Sequence, residues 1–196
     1  MTRLLLALLC AFAGAVPAQD PAAPAILSPV ADTVVDPSQP LRVIAKAGGK
    51  QPALLLDGKP VSSAVSPAPG VVHAELTGLA AGPHEIAVRG EDGAEARVRF
   101  TIGTGGGPAF KPHPPSGMAT CDSCHAVKEG VWAMKRITLA PLCGQCHDRE
   151  AFPKVHTHNT DILTDCQNCH LPHGSSAAAK AHLQKPKEVV CKQCHS

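Results

Sequence analysis

Four pentapeptides in the C-terminal part of the chain combine residue types and spacing that have a definite chemistry. They read C-D-S-C-H at Cys121–His125, C-G-Q-C-H at Cys143–His147, C-Q-N-C-H at Cys166–His170 and C-K-Q-C-H at Cys191–His195. Two thiols at this spacing add across the two vinyl groups of one porphyrin. A histidine directly after the second thiol is then tethered beneath the iron as its proximal ligand. Copies starting 22, 23 and 25 residues apart imply four covalently bound c-type haems. Their thioethers would come from Cys121, Cys124, Cys143, Cys146, Cys166, Cys169, Cys191 and Cys194. Their proximal ligands would be His125, His147, His170 and His195. Zinc also uses C-x-x-C pairs, joined two by two, but needs no histidine after every second cysteine. A thioredoxin-like dithiol would sit in a βαβ pattern, and none surrounds these copies.

A low-spin electron carrier needs a sixth ligand on each iron. Five more histidines follow residue 112: His113, His156, His158, His173 and His182. They are the distal candidates for four positions. Met118 and Met134 are alternative ligands that would raise the potential of their haem.

The elements that must position these residues begin after a leader. Arg3, the apolar run Leu4–Ala15 and the small-residue site Val16-Pro17-Ala18 read as a secretory signal peptide over residues 1–18. Making Cys10 a lipidated N-terminus fits less well, because Leu9 stands where a small residue is expected. Removing the leader takes one of nine cysteines, and the other eight all lie in the pentapeptides. No thiol is left for a structural disulfide. No apolar stretch after residue 18 is long enough for a membrane helix. The formal net charge of +2 turns acidic once haem propionates are counted, so it argues for no nucleic-acid partner.

Residues 19–103 have the texture of short strands. Leu41–Ala47 and Val71–Leu76 alternate, and Asp57-Gly58 is a type I′ hairpin signal. His84, Ile86 and Val88 share one face, as do Val98, Phe100 and Ile102, with Glu91-Asp92-Gly93 turning between them. The stretches I-L-S-P, L-L-L-D-G-K-P-V and L-T-G-L-A-A-G-P-H-E-I-A-V resemble bacterial immunoglobulin-like domains. That resemblance implies an all-β immunoglobulin-like sandwich, in which His73 and His84 are ordinary strand residues. Residues 104–112 read as a Gly/Pro linker. Residues 113–196 then form the haem-bearing domain. They have few apolar residues, so the macrocycles supply the core and folding is coupled to haem attachment. The expected fold there is mostly irregular with short helices, Ala177–Leu183 being the best helix candidate. Trp132 is expected to pack on a porphyrin.

The haem-bearing part looks duplicated. His113 precedes Cys121 by eight residues, and His158 precedes Cys166 by eight. The second pentapeptide of each half follows an apolar position, Pro141-Leu142 and Val189-Val190. The stretch C-Q-N-C-H-L-P-H-G-S with V-C-K-Q-C-H resembles the doubled C-x-x-C-H family of multihaem cytochromes. The first half matches at H-P-P-S-G-M-A-T-C-D-S-C-H and L-C-G-Q-C-H. It departs after His125, where A-V-K-E-G puts Lys128 in the place of His173. One distal ligand of the first half is thereby unassigned, and His156 is a candidate to cross over. The resemblance implies stacked, mostly bis-histidine haems and electron transfer outside the cytoplasm, in the periplasm or beyond. Redox proteins, or a larger electron-transfer complex, are the expected partners. Two other readings compete: a multihaem reductase with an open position at the first haem, and a structural subunit that wires a larger complex or filament.

Overall fold

The computed structural model describes residues 23–113, 120–128, 131–135, 139–147, 166–176 and 182–192. The leader, His156, His158, Met118, Cys194 and His195 lie outside the described residues.

Period-two alternation builds the N-terminal part. In β3 (Leu41–Lys46), Leu41, Val43 and Ala45 are buried while the residues between them are half-exposed. β7 (Val71–Leu76) buries Val72, Ala74 and Leu76 in the same way. Both belong to a four-stranded sheet with β1 (Ala25–Ser28) and β6 (Val65–Ala68), in the order β1-β3-β7-β6. The second sheet has β2 (Thr33–Val35), β4 (Ala53–Leu56), β5 (Lys59–Pro60), β8 (Gly82–Arg89) and β9 (Glu95–Ile102), in the order β2-β9-β8-β4-β5. β2 pairs with β9 in parallel; the other pairings are antiparallel. Leu41, Val43 and Val72 of one sheet meet Ile86, Val88 and Phe100 of the other in a single core. This is a β-sandwich of the immunoglobulin-like kind.

The expected turns are present. Asp57 and Gly58 take positive φ values of 50° and 76° between Leu56 and its register partner Lys59. β8 and β9 pair along their full length, from Gly82–Ile102 to Arg89–Glu95. Their outer face carries Glu85, Glu95, Arg89, Arg97 and Arg99 in ion pairs, three across the strands and Arg97–Glu95 along β9. Such exposed pairs contribute little stability. His73 and His84 lie in β7 and β8.

The stretch 104–112 is not the free linker that its glycines suggest. A Cβ on Gly107 would stand 2.5 Å from the Asp32 carbonyl oxygen. The Val34 amide donates to the Pro108 carbonyl at 2.9 Å, and Val34 bridges Ala109. Phe110 packs on the edge of the sandwich core. Residues 110–112 then form β10 (Phe110–Pro112), which pairs antiparallel with β13 (Gly174–Ser176). The glycines serve close approach to a sheet edge, so a composition that reads as a tether is a docked strand.

The C-terminal part is also less irregular than expected. Alongside the short helices α1 (Cys121–Cys124), α2 (Leu139–Cys143) and α3 (Lys187–Cys191) and a 3-10 turn at Cys166–Asn168, it contains the hairpin β11 (His125–Lys128) and β12 (Val131–Met134). Ala126, Val127 and Lys128 of the A-V-K-E-G departure thus lie in a strand. The expected helix Ala177–Leu183 falls mostly outside the described residues. At its described end His182 closes a 3-10 turn with φ of 54°, and Leu183 bridges His170.

Candidate functional site

Each described pentapeptide is wound the same way. The amide of the histidine donates to the carbonyl of the first cysteine, His125 to Cys121, His147 to Cys143 at 2.9 Å and His170 to Cys166 at 2.9 Å. One such turn brings positions i and i+3 to one face. The two thiols therefore point the same way and the imidazole follows them, as covalent attachment requires. In the first copy, the Thr120 amide donates to Ser123 Oγ at 3.3 Å, and Thr120 Oγ1 donates to the Asp122 carboxylate. The variable positions of C-D-S-C-H thus help close the turn. In the fourth copy, Cys191 ends α3.

The apolar residue before the second and fourth pentapeptides anchors each one. Leu142 and Val190 are the buried large hydrophobic side chains after residue 113, among those described. Each stands directly before a cysteine at the end of a short helix, α2 or α3. The duplication read from the sequence therefore has a structural counterpart.

The turns lie close together. α2 packs beside the 3-10 turn of the third pentapeptide. Burial pushes the Cys143 thiol up to about 11, and the neighbouring Cys166 thiol adds to the effect. Burial and the nearby Cys146 likewise raise Cys124. Thiols of the first three pentapeptides therefore share one neighbourhood.

The imidazoles meet in pairs. His125 and His173 have ring centroids 6.0 Å apart and planes 12° from parallel. His113 and His147 are 5.8 Å apart at 20°. His182 meets His113 edge-on at 5.2 Å and 62°. Among the described residues, no three His, Cys, Asp or Glu side chains converge as a bare-metal site. Pairs are what a haem iron takes, because the porphyrin fills its four equatorial positions.

The surroundings favour the neutral form of His173, His182 and His125. Burial pushes His173 down to about 4, helped by repulsion from His125 and His113. Burial also lowers His182, with His113 and Lys111 contributing, and lowers His125. A neutral imidazole has a lone pair free for a metal. His113 Nδ1 lies 2.8 Å from the Pro172 carbonyl, and His182 Nδ1 lies 2.9 Å from Ser175 Oγ. Ser175 is fully buried.

Of the expected distal candidates, the structure brings together His113, His173 and His182; His156 and His158 lie outside the described residues. Met134 is the register partner of His125 across β11–β12, so its side chain leaves the hairpin on the same face. The Trp132 side chain, expected against a porphyrin, lies outside those described. Sequence reasoning missed Ser175, the Pro172 carbonyl and the β10–β13 ladder. The H-G-S that begins at His173 was their signal: Gly174 at φ 135° packs where a Cβ would lie 2.7 Å from Phe110.

Residues 160–196 match the doubled CXXCH motif family. Over that stretch the chain is similar to multihaem c-type cytochromes, whose C-x-x-C-H sites take covalent haem outside the cytoplasm. A solved structure of Clostridium thermocellum CbhA fibronectin(III)-like modules shows 25% identity, with a TM-score of 0.30, over 39% of this chain and 89% of that one. The sandwich assignment rests on the sheets themselves. No curated protein matches the chain. Among the described residues, no helix is long and apolar enough to cross a membrane.

Proposed function

We propose that the chain is an exported tetrahaem c-type cytochrome that relays electrons and turns over no substrate of its own. The observation that carries this reading is the repeated closure of the C-x-x-C-H turn, with thiols of three copies in one neighbourhood. Haems attached at such turns would be closely packed. Bound haem supplies one-electron chemistry between ferric and ferrous iron. The chain's residues tether each macrocycle, present neutral imidazoles and exclude water. Residues 19–103 form one domain in this reading and residues 113–196 the other. The sandwich docks the carrier on a redox partner or a larger assembly, a role resting on fold analogy alone.

The nearness of His173 to His125 favours the carrier over a reductase. A reductase needs an open position at the first haem, and an imidazole stands beside that proximal ligand. Intact mass of the exported protein tests the reading. Four haems on a chain cleaved near Ala18 are expected, with low-spin spectra throughout. Three haems or fewer, or bound zinc, would overturn it.

A further inference from the structure

We infer that the β10–β13 ladder is a two-headed ligand arm: His173 is the distal ligand of the haem on Cys121 and Cys124, and His113 that of the haem on Cys143 and Cys146. The inference rests on the tetrahaem reading and assigns its axial pairs. It follows from register. Pro112 pairs with Gly174 at the end of the antiparallel ladder. Continued one residue past the end of the ladder, that register sets His113 opposite His173. The end of the ladder therefore presents two imidazoles, and each meets the histidine of a different pentapeptide.

Distance and tautomer agree with this role. With a metal–nitrogen bond of about 2 Å on each side and roughly 1 Å more to each ring centre, two imidazoles across one iron have centroids about 6 Å apart. The observed separations are 6.0 Å for His125–His173 and 5.8 Å for His113–His147. A carbonyl oxygen only accepts, so His113 Nδ1 carries the proton it donates to Pro172. That leaves the Nε2 lone pair for iron, the usual arrangement of a ligating histidine. The bond also ties the two heads together, because Pro172 directly precedes His173.

The arrangement accounts for the departure after His125. His173 follows the third pentapeptide in sequence yet reaches the first. The first haem thus has its second ligand although Lys128 fills the corresponding position of the first half. Both haems of the first half are closed by residues outside the Cys121–His147 stretch, one directly after β10 and one directly before β13. Breaking the ladder would open both at once.

The test uses the four-haem holoprotein, with haem content read first by intact mass. A chain with fewer haems in its natural sequence would refute the tetrahaem reading rather than this assignment. With four haems present, His173→Ala and His113→Ala should each convert one haem to high spin by electron paramagnetic resonance, and the double variant two. Added imidazole should return each to low spin, which a misfolded chain would not allow. In a chain lacking the second haem (Cys143→Ser with Cys146→Ser), His113→Ala should lose its effect while His173→Ala keeps it. Unchanged low-spin spectra in both single variants would overturn the assignment, as would a persistent His113→Ala effect in the three-haem chain. If the three-haem chain does not accumulate, a haem-bound structure decides. The iron beside Cys121 and Cys124 should then lie between His125 and His173; His156, His158 or His182 in the place of His173 would refute the inference.

Discussion

His84 gives its Nε2 proton to the Ala80 carbonyl at 2.8 Å and faces the Asp57 carboxylate through Nδ1 at 2.8 Å. Both ring nitrogens thus meet acceptors, and the doubly protonated form is favoured. Burial works against that charge, but Ala80 and Asp57 together raise the His84 pKa above its ordinary 6.5. His173 is the opposite case, held neutral by burial and by two imidazole neighbours. One residue type is therefore pushed towards its charged form in the sandwich and towards its neutral form beside the pentapeptides. The sign of the pH effect follows. A raised histidine stabilises fully below about pH 6.5 and loses that contribution as pH rises through its folded value. Burial opposes ionisation of Asp57, yet the Glu85 amide and His84 bring its pKa below 3.8, so its contribution is present above that value and lost in acid. The pair is fully stabilising between these limits. The unfolding midpoint of the sandwich, followed by far-UV circular dichroism, should fall from about pH 6 to about pH 8. Asp57→Asn keeps an acceptor for the Glu85 amide and tolerates the positive φ, yet removes the charge; it should flatten that slope. An equal slope in the variant would assign the effect to another group.

At the scale of elements, strands with an obvious period were legible and strands made by partners were not. β3 and β7 alternate cleanly, and Asp57-Gly58 announces its turn, so the sandwich could be read from residues alone. β10 is three residues between glycines and prolines, and β13 is G-S-S. Neither has a pattern, because each exists through the other. Gly174 is what lets them meet. Alanine there would take a φ of 135° and put a Cβ 2.7 Å from Phe110 and 2.9 Å from the Lys111 carbonyl. The strain would cost about 1 to 3 kcal/mol unless β13 moved away. Movement is the expected outcome, and His173 and Ser175 would shift with it. Gly174→Ala should therefore retain all its covalent haem, because attachment uses only the thiols and the proximal histidines, yet lose low-spin signal. Visible and paramagnetic spectra of the purified variant check this. Unchanged spectra would mean that the placement of β13 does not set the axial ligands.

For the whole molecule, the sequence declared the cofactor and concealed the connection. Cysteine and histidine spacing is chemical, so the four C-x-x-C-H pentapeptides were plain before any fold was known. The distal pairing was not, because it depends on which distant segments share a ladder. The Gly/Pro stretch misled for a related reason: glycine serves both a loose tether and a chain pressed on a sheet edge, and composition cannot separate them. A docked strand predicts a measurable difference between two fragments. Residues 23–103 keep every strand of the two sandwich sheets and the Gly103 amide bond to Val35. They lose the Val34–Pro108 hydrogen bond and the packing of Phe110 on the core. A hydrogen bond of this kind contributes about 1 kcal/mol, and partial burial of a phenylalanine about 1 kcal/mol more. A loss of about 2 kcal/mol in a domain of this size lowers the unfolding midpoint by roughly 10 °C. Residues 23–112 restore both contacts without any haem. Both fragments should fold, and the longer one should melt at the higher temperature. Phe110→Ala in the longer fragment should remove about half of the gain. Equal midpoints for the two fragments would return residues 104–112 to the role of a passive tether.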